Sequence, residues 1–217
     1  GGVATMLSNL QAAKSSYWEH IESVEEYLRA RRVPAYLGTR VHNYYEYLWD
    51  RHKGLNEQGL LQDLPESMRL EIMLHLARDV LEHVPLFRAC SPALRNTLLM
   101  ALRPATFAPG NLLVREGEVG KSIVFITRGK AEIISGHEEK LYGSMGPGDY
   151  FGYLSLTLKE PRSGSVRALD YCEALILDKA DYDLISAEYP EFREVMRTVS
   201  AQQSERASAL LLEGVVL

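Results

Sequence analysis

Gly148-Asp149-Tyr150-Phe151-Gly152-Tyr153-Leu154-Ser155-Leu156-Thr157-Leu158-Lys159-Glu160-Pro161-Arg162-Ser163-Gly164-Ser165 is the segment from which this chain is best read. A short apolar run follows Gly152, and Pro161-Arg162-Ser163 closes the segment. The first amides of a helix lack intrahelical partners and sit at the positive end of its dipole, so they favour an anion. Gly152 lets backbone come close without a Cβ in the way. Leu154, Ser155 and Leu156 are placed to supply such amides. Arg162 adds a planar fork suited to phosphate oxygens, and Ser163 adds a hydroxyl. Taken alone, the same letters also describe a turn followed by a solvated arginine.

The chain has 217 residues, 46% of them apolar, enough for one long domain or two small ones. A net charge of -5 and a pI near 5.7 argue against a general nucleic-acid binder. Cys90 and Cys172 lie in apolar surroundings without metal-ligand spacing, as in a reduced cytosolic protein. The six histidines form no ligand cluster, so no metal is expected. No run reaches the length of a membrane span, and no signal peptide is visible at the start. Gly1-Gly2 reads as an appended remnant, and the helical pattern starts by Leu7, as expected of a piece of a longer protein.

Residues 7 to about 103 read as helices. Tyr17, Ile21, Val24 and Leu28 mark one helix over 8–30. Pro34 starts a second through Arg51, with Gly54 expected to close it. A short helix is expected over 56–61, one from Pro65, and another from Ser91-Pro92 to Leu102. The period then changes. Thr106-Phe107, Leu112–Val114, Ile123–Ile126, Ala131–Ile134 and Cys172–Leu177 are short apolar runs divided by glycines, as in an antiparallel barrel or roll. Helical period returns from Tyr182 to Leu212, broken at Pro190. The fold class is α+β: helices, a β-roll, then helices.

Pro109-Gly110, Arg115-Glu116-Gly117-Glu118-Val119-Gly120 and Phe125-Ile126-Thr127-Arg128-Gly129, in that order ahead of Gly148 and Arg162, resemble the cyclic nucleotide-binding β-roll. The opening segment is similar to its phosphate-binding cassette. Val33-Pro34-Ala35, Arg40–Tyr47 and Leu64–Ile72 resemble the C-linker of cyclic nucleotide-gated and hyperpolarization-activated (HCN-like) cation channels. The resemblance spans 8–212 and implies a helical C-linker over 7–90 and a binding domain over 91–212. Within the latter it implies a jelly-roll-like β-roll at about 104–178 and terminal helices at about 179–212. It further implies cAMP or cGMP as regulatory ligand and a homotetramer formed through residues 8–50. The pore would belong to the same polypeptide, in the cell membrane, with this region in the cytoplasm.

By the same resemblance, Gly152, Leu154, Ser155, Arg162 and Ser163 hold the phosphate, and Tyr153 stands where a ribose-binding glutamate is usual. A neutral tyrosine is no anionic acceptor near pH 7, and its ring is large enough to enter the sugar site. Ile133 and Met145 on the roll, and Gln203, Arg206 and Ala207 on the last helix, are purine candidates; each is also an ordinary core or surface residue. Gly164 stands where alanine is usual. Two readings stay open: a cyclic nucleotide sensor, and an assembly and coupling module that works without nucleotide. No catalytic set or phosphate loop is present, so an enzyme is not expected. One roll without a following helix-turn-helix argues against a transcription factor or a tandem-roll kinase subunit.

Overall fold

A computed structural model describes residues 2–53, 61, 63–135, 140–158 and 161–212; the side chains of 2–10, 13, 76, 79, 80, 158 and 202–212 lie outside that description. The chain divides into two compact units, Gly1–Leu64 and Pro65–Leu217.

In the first unit, α1 (Gly2–Ala30) and α2 (Ala35–His52) form a hairpin. The turn carries Arg32 at φ 55° and Pro34 directly before α2. Aromatic side chains at helical spacing zip the pair together. Tyr17 donates its hydroxyl to the Tyr45 carbonyl at 2.8 Å and stacks 5.0 Å from Trp49. His42 Nδ1 lies 2.7 Å from Glu25 Oε1. Ile21 is the one fully buried apolar side chain among the described residues of this unit. The left-handed residue ending α2 is Lys53, at φ 52°, whose N–H donates to the Trp49 carbonyl. Gly54, expected in that role, and residues 56–60 of the expected short helix lie outside the described residues.

The second unit opens with α3 (Glu66–Leu76), α4 (Arg78–His83), α5 (Pro85–Ala89) and α6 (Pro92–Ala101). Ser91 caps α6, its Oγ accepting from the Leu94 N–H, and Pro92 follows where no intrahelical donor is needed. Among the described residues, eight strands then build two antiparallel sheets. One runs β1 (Arg103–Phe107), β8 (Cys172–Asp178), β3 (Ser122–Arg128), β6 (Tyr150–Phe151); the other runs β2 (Leu112–Val114), β7 (Ser165–Ala168), β4 (Ala131–Ser135), β5 (Lys140–Met145). The helix α7 (Tyr153–Leu158) sits between β6 and β7; α8 (Lys179–Glu188) and α9 (Glu191–Leu212) close the chain.

Alternation along β3 explains its unbroken apolar run. Ile123 and Phe125 point into a core shared with the helices, beside Phe87, Leu98, Phe192 and Met196. Val124 and Ile126 point into the roll, beside Ala131, Val166 and Ile176. A strand covered on both faces has no polar side. Strand β5 departs from the expected runs because it is an edge strand with exposed Lys140, Leu141 and Tyr142, and β6 has only two residues. Helix α8 starts at Lys179, three residues ahead of the expected Tyr182.

Candidate functional site

Strand β6 delivers Gly152 with φ at +100°, a conformation that L side chains rarely adopt. A Cβ there would lie 2.5 Å from the Ser122 carbonyl oxygen and 2.8 Å from Arg162 Nη1. Glycine is therefore what lets the guanidinium pass under the cassette. Arg162 Nη2 donates to that same Ser122 carbonyl at 3.0 Å. The Arg162 backbone is fixed as well: its N–H donates to the Glu118 carbonyl, and its carbonyl accepts from Gly117 N–H, each at 2.9 Å.

Only 9% of Arg162 is exposed. Burial pulls its pKa below the ordinary arginine value, and the Glu118 charge opposes that pull. Among the described residues no carboxylate lies within ion-pair distance of it. A guanidinium has five N–H donors, and the Ser122 carbonyl engages only Nη2.

The cassette helix follows. Leu156 N–H donates to the Gly152 carbonyl at 3.0 Å, so its amide is committed inside the helix. This corrects the expectation that Leu156 serves an anion. Leu154 and Ser155 precede that first intrahelical bond. The Leu154 side chain is 61% exposed at the rim. Ser155 packs so closely on Gly120 that a Cβ on Gly120 would sit 2.5 Å from its Oγ. Ser163 is exposed beside Arg162. Gly164 faces β4, where an added Cβ would lie 3.2 Å from the Ile134 carbonyl oxygen.

Tyr153 borders the pocket, but its ring packs edge-on against Tyr182, with centroids 6.5 Å apart. Burial, first, and Tyr182, second, raise its phenol pKa, and Glu194 and Arg197 of α9 act on it too. The ring thus packs against the helical core while still bordering the pocket. Nearby, the Tyr150 hydroxyl pairs with Ser200 Oγ at 3.1 Å, tying β6 to α9.

These residues surround a pocket of about 670 Å³. Gly152, Tyr153, Leu154, Ser155, Arg162 and Ser163 come together on one side of it, and Ile133 and Met145 stand on the wall from β4 and β5. Gln203, Arg206 and Ala207 continue α9, but their side chains lie outside the described residues. Sequence reasoning passed over Tyr142, Ser135 and Ser200, which also line the pocket. None belongs to a motif, and only the sheet register and the course of α9 bring them there.

Among the described residues no group of histidine, cysteine, aspartate or glutamate could hold a metal, and no helix is long and apolar enough to cross a membrane. Residues 104–189 match the cyclic nucleotide-binding domain family. The chain is 30% identical over 208 residues to cyclic nucleotide-gated channel alpha-3 of Homo sapiens, covering 93% of this chain and 30% of that protein. It is 28% identical over 208 residues to the cyclic nucleotide-gated channel cone photoreceptor subunit alpha of Gallus gallus (93% and 28% covered). A cyclic nucleotide-gated cation channel of Ictalurus punctatus is 28% identical over 221 residues (99% and 32% covered). The chain spans about a third of the length of these relatives, each of which is named as a channel or channel subunit. An α+β roll, a pocket built on a buried arginine and these relatives agree: residues 104–189 have the sequence and fold of a cyclic nucleotide-binding domain, and about 93% of the chain is similar to cyclic nucleotide-gated channel subunits.

Proposed function

We propose that this region senses a cyclic nucleotide, cAMP or cGMP, and couples its binding to the pore of a tetrameric cation channel in the cell membrane. The region lies on the cytoplasmic side, and residues 8–50 make the contacts between subunits. Residues 7–90 act as the C-linker and 91–212 as the binding domain. The observation that carries the reading is Arg162, a buried cation facing a pocket of about 670 Å³ with no described carboxylate to neutralise it. A cyclic phosphodiester brings one negative charge and two free oxygens, which suits that fork. Gly152, Leu154, Ser155 and Ser163 complete the phosphate end, and Ile133 and Met145 offer an apolar wall to the purine. Gln203, Arg206 and Ala207 of α9 are the residues that would cover the purine.

A second reading is favoured by one observation. Tyr153 is tied to Tyr182 and the terminal helices, a contact that already joins the cassette to α8 and α9. On that reading the module couples without nucleotide. Displacement of a fluorescent cyclic nucleotide, with and without Arg162→Ala, separates the two. The sensor reading expects saturable binding that the substitution removes, with far-UV circular dichroism unchanged. Affinity that survives Arg162→Ala in a folded variant would refute the site assignment.

A further inference from the structure

The phosphate end of the pocket is held from outside the cassette as well as from within it. The loop between β2 and β3, residues 115–121, meets both Arg162 and the cassette helix. Gly117 and Glu118 grip the Arg162 backbone through two hydrogen bonds of 2.9 Å. Val119 forms an antiparallel bridge to Pro161. One residue on, Gly120 lies against the start of α7. A Cβ there would stand 2.5 Å from Ser155 Oγ and 2.8 Å from both the Leu156 nitrogen and the Ser155 carbonyl carbon. The loop is pinned at both ends. Glu116 N–H donates to Ser165 Oγ at 2.9 Å, and the Lys121 carbonyl accepts at 2.8 Å from the N–H of Lys179, the first residue of α8.

Gly120 does not take a positive φ, unlike Gly117 in the same loop and Gly152 before α7. Its backbone would accept an ordinary side chain, and only the nearness of the cassette helix excludes one. Two of the close contacts are with backbone atoms, so no rotamer change relieves them. An added methyl must lift α7 or push the loop, with the Arg162 backbone it grips, away from it. Either movement separates the Leu154 and Ser155 amides from the Arg162 guanidinium, and one phosphate then cannot meet both. Resting on the sensor reading above, we propose that the loop 115–121 sets the height of the cassette helix over Arg162 and thereby the affinity for a cyclic phosphate. Gly120 is its positioning residue.

The test is calorimetry of the whole chain with cAMP, repeated on Gly120→Ala and on Gly110→Ala. Gly110 has φ at +81° and nothing within 4 Å of an added Cβ, so its variant strains a turn without touching the cassette. We expect Gly120→Ala to bind about tenfold or more weakly, the loss of one hydrogen bond to a charged group. Gly110→Ala should lose stability yet bind within about threefold of the unmodified chain. At saturating ligand the phosphorus NMR shift of bound cAMP should move in Gly120→Ala alone. Val119→Gly removes a half-exposed side chain and loosens the loop without adding bulk, so it serves where Gly120→Ala does not fold. It should weaken binding by about threefold. Affinity retained in Gly120→Ala, or in Val119→Gly where the first variant does not fold, overturns the proposal and leaves the sensor reading standing. Affinity lost equally in Gly110→Ala also overturns it, because the loop would then act through stability alone. No saturable binding of cAMP or cGMP by the unmodified chain overturns the sensor reading, and the proposal with it.

Discussion

Gly152 and Arg162 depend on one another. The guanidinium reaches the Ser122 carbonyl through space that any Cβ at Gly152 would enter. Gly152→Ala adds a backbone conformation costing about 1–3 kcal/mol to that overlap. We expect the variant to unfold at lower denaturant concentration and to lose anion binding, as chemical denaturation and nucleotide titration would show. Arg162 was legible because proline, arginine and serine are adjacent in the chain. Its partner was not, since Ser122 is 40 residues away and is supplied by a backbone carbonyl that no side chain advertises. The direction of the Tyr153 ring was equally hidden, because Tyr182, Glu194 and Arg197 set its surroundings.

The elements show why some strands were readable and others were not. The β3 run Ile123–Ile126 is apolar throughout because the roll fills one face and the helices cover the other. Edge strand β5 has no such signature, and it carries Tyr142 to the pocket unannounced. Helix caps were readable at Ser91-Pro92, where hydroxyl and proline occupy their usual places. The end of α2 was not, because Lys53 adopts the left-handed conformation usually left to glycine. Phe125 links helix and sheet within the core under the helices: its ring lies 5.8 Å from Phe87 and 5.6 Å from Tyr150. Truncating it opens a cavity behind the cassette. Phe125→Ala should cost about 3–5 kcal/mol in urea unfolding, and a loss below about 1 kcal/mol would show that this core repacks freely.

At the scale of the molecule, the two units differ in how they are stabilised. The α1–α2 hairpin relies on ring contacts around Tyr17 with little buried apolar surface, whereas the second unit holds two apolar cores. The roll core and the core under the helices each enclose a thiol. Burial raises the pKa of both Cys90 and Cys172 from 9.0 to about 11. Above pH 9 the unfolded chain gives up these protons while the folded chain keeps them, so stability is full below pH 9 and falls as pH climbs through about 11. The midpoint of thermal unfolding should therefore decline across that window. In a Cys90→Ala, Cys172→Ala double variant that decline should be shallower; an identical slope would assign the loss to other groups.

The central claim is that the pocket beside Arg162 holds a cyclic nucleotide. Calorimetric titration of this chain with cAMP and with cGMP, carried to about millimolar ligand, where binding free energy is about −4 kcal/mol, tests it most directly. The account predicts saturable one-to-one binding of at least one of them. A flat trace for both would contradict it and leave a module that couples without nucleotide.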